Sequence, residues 1–188
     1  MTTGQIAPAH VWSKILAMQK KLFPALLLML TGCVSVPDGI HPVNDFQLER
    51  YLGRWYEIAR LDHSFERGAS RVTADYSLRD DGSVRVLNRG YLADKQLWKE
   101  AEGRAYLAGE AGQGLLKVSF FGPFYGSYVI VELDHTSYQY ALVCGPDRAY
   151  LWILARSPHL PAEVLDRLVA RAASLGFATD QLLFVEHP

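Results

Sequence analysis

The 188-residue chain has little cysteine, only Cys33 and Cys144, so a disulfide-stapled scaffold is excluded and the fold must stand on a packed core. It lacks an apolar run of the roughly 20 residues that a membrane-spanning helix needs. The longest run, residues 22–30, has nine. Neither charge is in excess: 19 basic residues face 20 acidic ones, and the first 32 residues take Lys14, Lys20 and Lys21 and no acid. The remaining body is mildly acidic, which removes the electrostatic reason to expect nucleic acid. Six histidines are scattered without ligand-type spacing, so no metal centre is expected, and no cofactor either. There is no internal repeat, and the composition, 49% hydrophobic and 21% charged, is that of one globular domain.

What the first residues do contain is ordered. Lys20-Lys21 forms a positive n-region, residues 22–30 an apolar h-region, and Thr31-Gly32-Cys33 follows, the layout of a signal peptide over residues 1–32. Met18 gives a more compact signal than Met1 and is the expected true start. Leu30-Thr31-Gly32-Cys33 resembles the bacterial lipobox. That resemblance implies a diacylglycerol on the Cys33 sulfur, cleavage before it and acylation of the new amino group. Several acyl chains anchor stably where one is marginal, at about 0.8 kcal/mol per buried methylene. Val34, rather than Asp, at the next position is similar to the outer-membrane sorting choice, so the expected location is the outer membrane, lipid-anchored, on its periplasmic face. The alternative is an ordinary signal peptide that leaves Cys33 a free thiol. With Cys33 acylated, only Cys144 remains and no intramolecular disulfide can form. Residues 33–44, with Pro37, Gly39 and Pro42, read as the lipidated N-terminus and a spacer holding the domain, residues 45–188, clear of the headgroups.

That domain reads as short strands between turn signals. Residues 71–78 alternate, with Val72, Ala74, Tyr76 and Leu78 on one face. Asp80-Asp81-Gly82 then supplies a hairpin turn, which outweighs any acid/base role for the paired aspartates. With 54–61, 83–92, 97–107, 115–121, 125–133, 137–144 and 149–156, eight strands are expected. The last two are apolar on both faces, so both need cover. Outer cover comes from a helix over 161–175, with Leu165, Leu168, Val169, Ala172 and Leu175 on one side and Gly176 as the stop. Residues 181–185 supply a ninth strand beside the helix-covered ones. The expected fold is all-β: an eight-stranded antiparallel up-and-down barrel with one C-terminal α-helix packed outside. Such a barrel is filled by side chains or holds one small ligand.

Four motifs in order carry a family resemblance: Gly53-Arg54-Trp55-Tyr56-Glu57-Ile58-Ala59-Arg60, Phe65-Glu66-Arg67-Gly68, Phe121-Gly122-Pro123-Phe124-Tyr125-Gly126 and Tyr150-Leu151-Trp152-Ile153-Leu154-Ala155-Arg156. Together they resemble the bacterial lipocalins, outer-membrane lipoproteins related to apolipoprotein D. The resemblance implies that Gly53 and Trp55 belong to the closed end of the barrel, with Trp55 as its plug and Arg156 lying across the indole. It also implies a cavity for fatty acids, lysophospholipids or similar apolar molecules. The chain departs from vertebrate relatives, whose disulfides pin the C-terminal segment.

If the alternation holds, Val72, Val86, Leu116, Val129, Val131 and Leu142 are wall positions, and Tyr76, Asn88, Tyr140 and Trp152 are those expected to touch a ligand, since such pockets combine apolar walls with a few orienting polar groups. Phe121, Phe124 and Tyr125 line the mouth or form an interface, a homodimer surface among the choices. The expected activity is binding, storage or transport of an apolar small molecule, without catalysis. Two alternatives stay open: an envelope interaction protein with a filled barrel, and an enzyme using Cys144, whose thiol sits in a doubly covered strand where it is usually inert.

Overall fold

The structure, a computed structural model, describes residues 34–188; the signal peptide over 1–32, the start at Met18 and the lipidation of Cys33 lie outside the described residues. A short helix α1 (Leu48–Tyr51) leads into β1 (Gly53–Arg60), and then come β2 (Ala69–Leu78), β3 (Val84–Leu92), β4 (Leu97–Leu107), β5 (Leu115–Phe121), β6 (Phe124–Leu133), β7 (Tyr140–Cys144) and β8 (Leu151–Ala155). Helix α2 (Ala162–Ser174) and a two-residue β9 (Leu183–Phe184) finish the chain. From β1 to β8 each strand pairs antiparallel with the next, and β1 closes the circle by pairing with β2 through its first half and with β8 through its second. The expected all-β barrel with an outer helix is therefore the observed fold. Strand β9 adds to β1 at Ala59 and Arg60.

Local chemistry accounts for the corners. Gly82 has φ 78° in the β2–β3 turn, and Asp81 Oδ1 accepts from Ser83 N at 3.0 Å, so the paired aspartates are turn residues as read. Helix α2 stops at Gly176, φ 83°, where Arg148 Nε donates to the Leu175 carbonyl at 2.8 Å. Antiparallel order places the β1–β2, β3–β4, β5–β6 and β7–β8 connections at one end of the barrel. The opposite end carries α1 and the β2–β3, β4–β5 and β6–β7 connections.

Two cores result. One lies inside the barrel and includes Trp55, Tyr76, Val86, Leu116, Ile130, Val143 and Leu154; the other lies between α2 and the outer face of β6–β8, around Leu142, Cys144, Ile153 and Leu168. The N-terminal stretch is not a free spacer. Ser127 Oγ donates to the Ser35 carbonyl, Arg148 Nη2 to that of Asp38 at 2.7 Å, and Val43 N to that of Ile130 at 2.9 Å. Ile40 is buried in the helix-side core. Residues 35–44 are bound to the barrel wall because these hydrogen bonds satisfy their backbone while Val36, Pro37 and Ile40 remove apolar surface from water.

Candidate ligand site inside the barrel

The closed end is a stack. Trp55 is fully buried, its Nε1 donates to the Tyr51 carbonyl at 2.8 Å, and Arg156 Cζ stands 4.0 Å from its ring centroid. The same guanidinium donates to the carbonyls of Arg54, Arg50 and Tyr138 at 2.9, 2.8 and 3.3 Å. Gly53 has φ 93°, the left-handed region, and a Cβ there would stand 3.4 Å from Arg156 Nη1. Above the plug, the hydroxyls of Tyr51 and Tyr76 both meet that of Tyr128, at 2.7 and 3.0 Å. Burial pushes all three phenols up, so they stay neutral donors and acceptors.

The middle of the barrel is apolar and narrow-walled on one side. Register puts Ala101, Gly103 and Ala105 of β4 opposite Asn88, Val86 and Val84. Phe120 fills the space over Gly103: a Cβ there would lie 2.9 Å from Phe120 Cδ1. Asn88 faces inward among these residues, and its Oδ1 is buried without a hydrogen-bond partner.

Near the other end the interior turns polar, because of a bulge. The β1–β8 register shifts between Glu57 and Ala59, so Glu57 and Arg60, three residues apart, both face inward. They are 3% and 2% exposed. Arg60 Nη1 donates to Glu57 Oε1 at 2.6 Å, and Nη2 to the carbonyls of Glu66 and Ala69 at 3.0 and 3.1 Å. This ties down the β1–β2 connection across the mouth. From it Glu66 reaches back to accept from Trp152 Nε1 at 3.3 Å, and His63 Nε2 stands 3.2 Å from Glu66 Oε2. Phe65 stacks on Tyr150 at 6.0 Å between centroids. Arg60 Nε and His63 Nδ1 have no partner. Burial, then the Glu66 charge, pushes the Glu57 carboxyl well up against the opposing pull of Arg60. Burial also acts to raise Glu66, but His63, Glu57 and Trp152 together more than offset it and hold it below its usual value. Of the two carboxyls, Glu57 is the one pushed toward its protonated form.

The expected ligand residues divide. Tyr76, Val86, Leu116 and Trp152 belong to the interior core or pack against it, Asn88 lies between them, and Val72 packs over Gly90. Tyr140, Val129, Val131 and Leu142 do not line the interior. They belong to the helix-side core, where Arg167 Cζ lies 5.2 Å from the Tyr140 ring centroid. Two facts explain the correction. Strand β7 is apolar on both faces, so alternation could not choose between them, and Trp152 pairs with Val143 rather than Leu142. In β6 a register shift between Ile130 and Glu132 gives the interior Tyr128 and Ile130 instead. Sequence reasoning missed Glu57, Arg60, His63, Glu66, Tyr128 and Gly103. The charged ones looked like solvated residues; the bulge brings Arg60 to the side of Glu57, and the β1–β2 connection carries His63 and Glu66 back over the mouth. Cys144 is fully buried under α2 and its thiol is pushed up to about 12 by burial, so it is no cavity nucleophile. A separate groove of about 440 Å³ lies on the outer face, lined by Arg54, Arg71, Arg89 and His187 among others. Arg54 and Arg89 are already held there by Asp75 and Glu100.

The lipocalin-like domain model matches residues 46–187. The chain belongs to the lipocalin family. It is similar to the outer membrane lipoprotein Blc of Vibrio cholerae, 54% identical over 85% of this chain and 93% of that one, and to Blc of Escherichia coli K12, 50% identical over 87% and 92%. Apolipoprotein D of Rattus norvegicus is 36% identical over 76% of this chain and 83% of that one. Among solved structures, insecticyanin of the tobacco hornworm aligns with a TM-score of 0.65 at 22% identity, covering 82% of this lipocalin and 88% of that chain. Lipocalins are in general binding proteins for small hydrophobic molecules, and the relatives' names place this lipocalin among the lipid-anchored proteins of the outer membrane.

Proposed function

We propose that this lipocalin takes an apolar molecule with a polar head, of the fatty-acid or lysophospholipid kind, into its barrel and stores or ferries it at the periplasmic face of the outer membrane, held there by acylated Cys33. The observation that carries this is the interior's gradient. Above the mutually paired phenols over the plug, hydrocarbon walls give way toward the mouth to Asn88 Oδ1 and Arg60 Nε, both buried and unpartnered. A barrel whose only task was to be filled would pair such atoms, since each buried polar group left unpaired costs about 1–3 kcal/mol. An acyl chain gains about 0.8 kcal/mol per buried methylene before ordering costs. Neither catalysis nor a cofactor is required.

The test is fluorescence titration with lysophospholipids and long-chain fatty acids, comparing the wild-type chain with Trp152→Phe. Trp152 packs against the interior core and touches Glu66, so its emission responds to occupancy. A flat titration at every chain length returns the reading to an interaction protein with a filled barrel.

A further inference from the structure

Among the described residues ten large apolar side chains stand exposed, and six of them, Phe65, Leu97, Trp98, Phe121, Phe124 and Tyr125, sit in or beside three of the four connections at the mouth. Phe121 and Phe124 are 76% and 79% exposed. The closed end shows only Leu78 and Leu107. Isolated exposed apolar residues need no explanation, but an end of the barrel ringed by them does. The mouth also holds the start of the described chain. Ser35 Oγ donates to the Pro146 carbonyl in the β7–β8 turn, and Ser127, three residues into β6 from Phe124, holds the Ser35 carbonyl. Cys33 is two residues away, at most about 7 Å of extended chain. Since residues 35–44 are fixed to the wall, the anchor cannot pay out as a long leash.

We propose that the aromatic rim docks on the lipid bilayer, so that the barrel opens directly onto the membrane to which its N-terminus is attached. This rests on the acylation of Cys33 proposed above. Two independent features converge on one end: the exit point of the chain and the ring of aromatic side chains, which are suited to the boundary between headgroups and acyl chains. A ligand would pass between bilayer and barrel without crossing water, and the mouth-side polar groups, Arg60, His63 and Glu66, would meet its head last on entry.

The test uses the mature lipoprotein reconstituted into phosphatidylethanolamine–phosphatidylglycerol vesicles whose acyl chains carry bromine, a contact quencher of indole. The Trp98 contribution is isolated by comparison with Trp98→Phe. Docking predicts that Trp98 emission is quenched, that Phe121→Ser with Phe124→Ser loses the quenching while the protein stays vesicle-bound, and that Leu107→Trp, at the closed end, adds emission that bromine does not touch. Both Phe side chains are exposed, so their replacement leaves the fold intact, which circular dichroism verifies. Equal Trp98 emission in brominated and plain vesicles overturns the inference. So does a cross-linked homodimer that protects Trp98 and is lost in the double variant. Mass spectrometry of the N-terminal peptide reads the anchor separately: an acylated Cys33 without quenching overturns docking alone, and an unmodified Cys33 with quenching supports docking while overturning the anchor.

Discussion

Replacing Arg60 by Met puts the polar end of the barrel to a quantitative test. Arg60 is 2% exposed and makes three hydrogen bonds, one to Glu57 and two to carbonyls of the mouth connection. Met keeps the length of the side chain and removes every donor. Loss of the guanidinium leaves Glu57 Oε1 and the carbonyls of Glu66 and Ala69 without their donor, and since a buried polar group left unpaired costs about 1–3 kcal/mol, the three together should cost about 3 kcal/mol or more. Glu57→Gln should behave very differently. Burial and Glu66 push its carboxyl toward the protonated form, so the neutral amide costs within about 1 kcal/mol. The pH dependence separates the two carboxyls. Between the ordinary Glu value and the raised native one, the unfolded chain has released the Glu57 proton and the native state retains it, so wild-type stability falls as pH rises through that window. Glu57→Gln lacks this fall and gains on wild type across it. Glu66 acts in the opposite sense: its stabilisation is present above the ordinary value and is lost as pH falls through the lowered native one. Urea unfolding from acid to neutral pH gives all these quantities. Equal costs for Arg60→Met and Glu57→Gln, or a cost below about 1 kcal/mol for Arg60→Met, would rule out this arrangement of the polar end.

Asn88→Leu removes an unpartnered buried acceptor, so the ligand-free protein should gain about 1 kcal/mol in urea unfolding while its affinity for headed lipids falls. Arg156→Met loses a cation–π contact and three hydrogen bonds to carbonyls, and should cost at least about 2 kcal/mol by the same assay. Gly53→Ala, forced to φ 93°, should cost about 1–3 kcal/mol. Cys144 should resist iodoacetamide in the folded protein and label on unfolding, because its thiol is buried and protonated at neutral pH.

How much of this was legible in the sequence depended on contrast between faces. Strands β2 and β3 alternate polar with apolar, and their turn carries Asp81-Gly82, so Tyr76, Val86 and Asn88 could be assigned an inward face. Strand β7 has no contrast, since Tyr140, Leu142 and Cys144 are as apolar as Ala141 and Val143; which set meets the helix is decided by its pairing with β8. Bulges are the second limit. One inserted residue in β1 brings Glu57 and Arg60 to the same side, and one in β6 moves Val129 outward, and neither leaves a mark in composition. The stretch before Phe46 failed for another reason: prolines suggested a spacer, but Ile40 and Val36 find an apolar surface that exists only once the barrel has closed.

Whether the barrel interior takes a lipid chain is read from calorimetric titration with lysophospholipids of increasing chain length. Affinity should rise with each added methylene, by at most about fourfold, until the interior is full, with a negative heat-capacity change. Binding that is absent, or that does not change with chain length, would contradict uptake of a lipid chain.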